Sequence, residues 1–446
     1  MSDQAEALRA QVASVVETAE MYFGADKEAR LAAESQAALE ALDAAADDVL
    51  TTAEVLTLRG QVLNAPDAYS ADAEAALSKA VKLAPECVEA WNALGAVFWK
   101  KKAYQEAKDC FEGALAVAEN ADSLRKLSMV ERHLGGSGAK LRTAVASSVA
   151  HAKRATALDI TSPASWYSLG NAHLTQFFTS TQDVSDLAHA LKAYARAEAA
   201  GYAAHPDLHF NRAHVYNYML RFQEAYDGFR LAHKLDPSWT AAATLATDLA
   251  RDVTKVQTLI AKRASLREKK VKAAAASLTP LRILRERTHV TLAQLGAGPN
   301  PGGAVAVKVM ATVVRANNIP QTFVVLDPEA TFSTVSIYNM RDGAISVGDE
   351  LWIADPFVCA VSLDPEAPLP DVTADAPPAA PEGKGKDDAE DAADAADAAS
   401  STAATYTSIR IDKPNDLWIN GRSVEASGGI EAQSNLLFSA KDSDNQ

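Results

Sequence analysis

Arg132, Asn171 and Asp207 are the residue types that together could hold a short extended peptide bearing both charges. A guanidinium grips a carboxylate through two parallel hydrogen bonds. An asparagine amide pairs with peptide backbone, and a carboxylate takes a basic side chain. The competing reading is that Arg132 and Asp207 only pair with each other or with solvent. Lys79 and Lys82 stand three residues apart, which puts two ammonium groups on one helical face, an arrangement suited to a nucleic-acid backbone. Lys100, Lys101 and Lys102 extend the basic cluster, and a solvated helix face is the plainer reading of such lysines. Catalytic patterns are missing from the sequence: no Walker loop, GxSxG, HExxH or CxxC occurs. The run GAGPNPGG precedes a strand instead of joining a strand to a helix, so it reads as a linker. His205, His209 and His214 are neighbours without a carboxylate pattern and read as groove or surface residues. No enzyme activity, cofactor or metal is expected.

These residues need elements to position them, and internal repetition supplies the elements. Around Trp91 the sequence runs WNALGAVF, followed by Ala107, Phe111 and Ala114. Small residues at Gly95 and Ala107 let two antiparallel helices approach closely, and Trp91, Phe98 and Phe111 fill the space to the next pair. The register recurs at Leu56, Gly60, Ala73, Leu77, Ala80 and Pro85. It recurs again at Trp166, Leu169, Gly170, Ala190, Tyr194 and Ala197, and at Ala213, Tyr216, Ala225, Phe229, Ala232 and Pro237. Ala80 and Ala114 are separated by the tetratricopeptide-repeat (TPR) period of about 34 residues. A degenerate copy holds Leu124, Leu127 and Ser128 in its first helix and Ala155 and Leu158 in its second. The Trp166 copy carries an insertion, TQFFTSTQDVSDLAH. In a TPR solenoid the first helix of each repeat lines a concave groove. Taking repeat positions two, five, nine and twelve as groove-facing, with Trp166, His209 and Leu124 each at position four, names Tyr167, Asn171, Asp207, Phe210, His214, Arg125, Met129 and Arg132.

Texture changes after about residue 280. GGAVAVKVMATVV, TFVVLD, FSTVSIYNM and VGDELWIADP are Val-rich, partly alternating and broken by Asn-Asn, Asp-Pro and Asp-Gly, which predicts strands. TSIRID and DLWING are expected to form a last hairpin. About five short strands suggest a small antiparallel barrel, an OB-fold. The expected fold class is thus α+β multidomain: an all-α TPR solenoid followed by a small β-barrel. Residues 1–50 are expected to form a helical cap, 51–275 the solenoid and 280–425 the barrel. A disordered acidic insertion is expected at 363–403 and a disordered tail at 426–446. One long helix from about Ala241 should close the solenoid, with its basic tail, Lys262 to Lys272, a solvated face or linker.

A net charge of −15 and a pI near 5.1 argue against wholesale coating of nucleic acid. Lys308, Arg315, Arg341 and Arg410 are dispersed along the barrel, which argues against single-strand binding there. Three cysteines without CxxC spacing suit a reducing compartment, and neither a basic leader nor a membrane-spanning apolar run is seen. An intracellular, soluble chain is the expectation.

The runs LSKAVKLAPECVEAWNALGAVFWKK, LSMVER, SWYSLGNAHL, ALKAYARAEAA and PDLHFNRA, with TFVVLD, VSIYNM and VGDELWI, resemble the Strap family, tetratricopeptide repeat protein five. The likeness covers roughly residues 50–360 and 404–424. It implies a TPR array followed by an OB-fold and a non-enzymatic adaptor that acts in tubulin autoregulation. Such an adaptor binds the nascent N-terminus of α- or β-tubulin at the ribosome and triggers decay of the translated mRNA through an adaptor and a deadenylase. The resemblance equally implies an alternative, a nuclear stress-response transcription cofactor that scaffolds histone acetyltransferase complexes. It therefore implies a cytoplasmic and also a nuclear location. Carried over by motif, Arg132 and Asp207 match the family's peptide-binding pair, and Lys79 and Lys82 match its ribosome-contacting lysines. The long acidic tract and the terminal segments depart from the family pattern.

Overall fold

The computed structural model describes residues 2–45, 49–278, 284, 286–314, 319–369 and 403–424. Its helices come in antiparallel pairs: α1 (Ser2–Met21) with α2 (Lys27–Ala44), α3 (Thr52–Leu63) with α4 (Ala71–Leu83), and α5 (Val88–Lys100) with α6 (Tyr104–Val117). Next come α7 (Ala121–Leu134) with α8 (Gly138–Leu158), α9 (Pro163–Gln176) with α10 (Val184–Ala199), and α11 (Pro206–Tyr218) with α12 (Phe222–Leu235). The helix expected from Ala241 is two, α13 (Thr240–Ala264) and α14 (Glu268–Ala276).

Local chemistry starts these helices. Thr51 and Glu54 form a reciprocal capping box at α3, and Ser70, Asn120, Ser162 and Asp183 each accept a first-turn N–H. Trp91 and Trp166 each donate their indole N–H to the carbonyl six residues upstream, Pro85 and Ile160, both at 2.8 Å. Gly95 lies so close under the Phe111 ring, and Gly170 under Tyr194, that a Cβ at either would clash. In the degenerate pair α7–α8 the helices meet through Ser128 and Ser148, both fully buried, whose hydroxyls lie 2.9 Å apart.

The insertion after α9 forms a π-helical turn, Phe177–Thr181, that buries Phe177 and Phe178 against Tyr218. The basic residues of the terminal tail, Lys262, Arg267, Lys269, Lys270 and Lys272, are exposed as expected, while Val271 and Ala275 of α14 bury against Leu326.

Among the described residues the β-region is one curled sheet of ten strands, more than the five expected. In chain order these are β1 (Thr288–His289), β2 (Gly298–Pro299), β3 (Gly303–Val313), β4 (Gln321–Leu326) and β5 (Phe332–Ile337). They continue with β6 (Glu350–Ala354), β7 (Phe357–Leu363), β8 (Ala404–Ile411), β9 (Leu417–Ile419) and β10 (Arg422–Ser423). The path β3-β4-β5-β8-β7 stays open at its ends and contains one parallel pair, β5·β8, the Greek-key crossover of a partly open OB barrel. TSIRID and DLWING are not a hairpin: β8 lies between β5 and β7, whereas β9 pairs with β6 and turns back into β10. Val305, Val307, Val309, Phe323, Val325, Val335, Ile337 and Ile409 fill the barrel by period-two alternation.

The outer face is buried too. Ala311, Val313 and Val324 pack on Val256 of α13, and Val361, Leu363 and Ala404 pack with Phe222, Phe229 and Trp239. Tyr338 donates its hydroxyl to the Tyr218 carbonyl at 2.6 Å. Tyr218 donates to Asp412 at 3.1 Å, and Arg410 holds the same Asp412 oxygen at 2.8 and 2.9 Å. Leu363, at the expected start of the acidic insertion, is the fully buried last residue of β7, and the Asp364 N–H donates to Gln223 of α12 at 2.7 Å. Residues 370–402 of that insertion and the tail 426–446 lie outside the described residues. No described helix is long and apolar enough to cross a membrane.

Candidate peptide-binding groove

Arg132 sits in the last turn of α7, where a cation suits the helix dipole. Its Nη1 donates to Ser128 Oγ at 3.0 Å, Ser148 Oγ at 3.1 Å and the Ser128 carbonyl at 3.2 Å. Burial lowers its pKa to about 10, which leaves it charged at neutral pH. Asp207 makes an ion-pair contact with His205, at 3.7 Å.

Tyr167 and Asn171 project from α9, one turn apart. Asn171 Oδ1 accepts from the Tyr194 hydroxyl at 2.7 Å and from Asn211 Nδ2 at 3.2 Å, and Asn211 also donates to the Tyr167 hydroxyl at 2.8 Å. Burial, then the nearby Asp207 carboxylate, holds the Tyr167 phenol well above its usual range, while the Arg132 guanidinium acts in the opposite direction. Tyr167 therefore lies within the fields of both groove charges. Asp207 occupies the first turn of α11 behind Pro206, where the helix dipole favours an anion. Its carboxylate stands 3.7 Å from His205 Nδ1 and is about one-third exposed.

An aromatic wall completes the surface. Tyr202 and His205 stack at 4.7 Å, with Tyr167 5.9 and 5.7 Å from them. Phe23, in the turn between α1 and α2, meets His205 edge-on at 5.2 Å. The N-terminal helix pair thus reaches across to the α10–α11 junction.

The structure brings Arg132, Tyr167, Asn171 and Asp207 together, and His214 is the exception. Its ring is wedged edge-on to Phe210 at 4.6 Å and Phe229 at 5.0 Å, where burial lowers its pKa to about 4. His214 nevertheless stays partly exposed, whereas Phe210, named by the same count, is buried against Phe229 and Trp239. His209 is buried as well. Its Nε2–H donates to the Ala203 carbonyl at 2.7 Å, and Nδ1 accepts from Arg212 at 3.1 Å. Arg212 in turn grips Glu198 at 2.6 and 3.0 Å. Asn211, Tyr202 and His205 escape the position count because their place depends on how α10 hands over to α11.

Lys79 and Lys82 are exposed on the outer side of α4, opposite the apolar line Ala73, Leu77, Ala80 and Val81. Neither forms an ion pair among the described residues. The following lysines are otherwise engaged: Lys100 donates to the Pro66 carbonyl at 2.7 Å, and Lys101 pairs with Glu74 at 2.8 Å.

Paired helical repeats joined to an OB barrel define a protein-binding TPR adaptor. The family described as Tetratricopeptide repeat protein 5 OB fold domain matches residues 286–369, and the tetratricopeptide repeat matches residues 88–120. Tetratricopeptide repeat protein 5 of Bos taurus is 36% identical over 341 residues, which is 72% of this chain and 78% of that protein. The Homo sapiens protein of the same name is 34% identical over the same extent. The chain belongs to the tetratricopeptide repeat protein 5 family. Among solved structures, the TPR protein YrrB is similar at 22% identity and TM-score 0.32, covering 47% of this chain and 96% of that one. The Cut9–Hcn1 hetero-tetramer of the APC/C is similar at 15% identity and TM-score 0.42, covering 54% and 41%.

Proposed function

We propose that the groove recognises the N-terminal peptide of nascent α- or β-tubulin, Met-Arg-Glu followed by Ile or Cys, as it leaves the ribosome. The bound adaptor then commits the translated mRNA to decay through a recruited adaptor protein and deadenylase, a cytoplasmic process. The observation that carries this reading is the placement of Arg132 and Asp207 about the Tyr167 phenol, on which the two charges act in opposite directions. A peptide with adjacent Arg and Glu side chains presents the complementary charges one residue apart. Its Glu meets Arg132, its Arg meets Asp207, and the Tyr167–Asn211–Asn171 network lies between for the backbone. Lys79 and Lys82 provide a second, salt-dependent contact, to ribosomal RNA phosphates.

Titration of the full chain with a labelled Met-Arg-Glu-Ile peptide tests the reading directly. Saturable binding that a Met-Glu-Arg-Ile peptide does not reproduce is the expected result. Equal binding of both peptides, or of neither, overturns it. Ribosome co-sedimentation that depends on translated tubulin mRNA separates this role from a nuclear scaffold for histone acetyltransferase complexes.

A further inference from the structure

The repeat built from α9 and α10 differs from its neighbours at one corner. Seven residues after Trp166 it carries His173, where the repeat opened by Trp91 has Phe98 and the repeat holding His209 has Tyr216. Four residues before Ala190 it carries Asp186, where those repeats have Ala103 and Arg221. The His173 and Asp186 side chains are only 6% and 8% exposed. Placing an imidazole and a carboxylate in a helix seam costs desolvation energy, and the neighbouring repeats show that packing there does not require it.

The two groups are joined and a third stands beside them. His173 Nδ1 lies 3.1 Å from Asp186 Oδ1, and the exposed His189, one turn along α10, has its ring 5.0 Å from that of His173. One ligand atom from each of the three falls within 4.8 Å of the others. The π-helical turn aims the carboxylate, since Thr181 Oγ1 donates to Asp186 Oδ2 at 2.6 Å. Next to them opens a cavity of about 550 Å³ with Lys153, Trp166, Lys192 and Arg196 in its lining.

We propose that His173, Asp186 and His189 form a zinc(II) site with three protein ligands and an open fourth position facing this cavity. Two imidazoles and one carboxylate are a zinc donor set, and three protein ligands leave a place for an exogenous one. Ligands of a tetrahedral zinc stand about 3.4 Å apart, a spacing that rotation of the exposed His189 reaches. Thr181 remains as the partner that orients the carboxylate. The cations lining the cavity make the fourth position a place for an anion: with one carboxylate ligand the zinc centre stays positive, and Lys153, Lys192 and Arg196 form no ion pair among the described residues.

The full chain, dialysed against chelator and then titrated with zinc chloride by calorimetry, tests the site, with cobalt(II) as a spectroscopic probe. One zinc per chain and a visible tetrahedral cobalt band that zinc displaces are expected. His189→Ala removes an exposed ligand, and His173→Phe installs the ring used by the neighbouring repeat. Each should weaken binding at least about tenfold and remove the cobalt band. Absence of saturable binding by the full chain overturns the proposal. So do stoichiometry and affinity that both variants leave unchanged, since the metal would then sit on other histidines. If His173→Phe fails to fold by circular dichroism, His189→Ala decides alone.

Discussion

The Tyr194 hydroxyl reaches from the solenoid core to Asn171 Oδ1 at 2.7 Å, so a fully buried ring holds a groove residue in place. Because the same oxygen accepts from Asn211, the bond ties α9, α10 and α11 together beneath the candidate peptide path.

That tie makes Gly170 a sensitive position. A methyl group there would meet the Tyr194 ring. Overpacking of this kind costs about 1–3 kcal/mol, against a helix-propensity gain of about 1 kcal/mol for replacing glycine by alanine. Gly170→Ala should lower the melting temperature and weaken Met-Arg-Glu binding together. A melting temperature raised by the substitution would show that Tyr194 has room to move.

Arg132→Ala should weaken Met-Arg-Glu binding roughly tenfold to a hundredfold, the range for a charge-assisted hydrogen bond of about 1.5–3 kcal/mol. The fold should survive, because Ser128 and Ser148 keep their mutual contact at 2.9 Å. Arg132→Lys should restore charge but not the forked geometry, and so recover only part of the loss. Anisotropy titrations with all three proteins provide the check, and equal affinities would remove Arg132 from the site.

Asp207 is expected to read the arginine of the peptide. Asp207→Ala should cost more affinity for Met-Arg-Glu than for Met-Ala-Glu, with a coupling of at least about 0.5 kcal/mol in the double-mutant cycle. Additive losses would assign Asp207 to the start of α11 alone.

Lys79→Glu combined with Lys82→Glu should abolish recruitment to tubulin-translating ribosomes and leave free-peptide affinity unchanged. Both side chains are exposed on the outer face of α4 and take no part in the groove contacts. Wild-type sedimentation of the double variant would reduce these lysines to a solvated helix face.

Stability should fall as the solution is acidified below neutrality. His209 donates through Nε2 and accepts through Nδ1, so the fold requires the neutral ring, and burial first of all lowers its pKa to about 4. Unfolded, the same imidazole protonates near 6.5. Between those values the unfolded chain binds the extra proton, so stability is complete above about pH 6.5 and is lost toward pH 4. The slope is at most about 1.4 kcal/mol per pH unit for this residue. Thermal melts from pH 7 to 5 should show a decline that His209→Gln flattens. Identical slopes for both proteins would place the effect on other groups.

Much of the groove was legible before any coordinates. The spacing of Trp, Leu, Gly and Ala in the repeats follows from 3.6-residue geometry and close helix contact, and counting along that register reached Arg132, Tyr167, Asn171 and Asp207. The same count named Phe210, which is buried: which side of α11 packs depends on the bulk of Phe229 and Trp239 beyond it. The strand segments were legible from alternation. Their partners were not: β8 joins β5 from some seventy residues away, and α14 docks on the barrel through Val271, Ala274 and Ala275 of its alanine-rich sequence. His173 and Asp186 stand thirteen residues apart across an irregular insertion that follows no helical count, so only the fold unites them. Register within a helix is local, set by backbone geometry and the shape of neighbouring side chains. Contacts between helices of different repeats, and between solenoid and barrel, depend on inter-helix angles and on where inserted turns bury their aromatics, and those are settled when the whole chain packs.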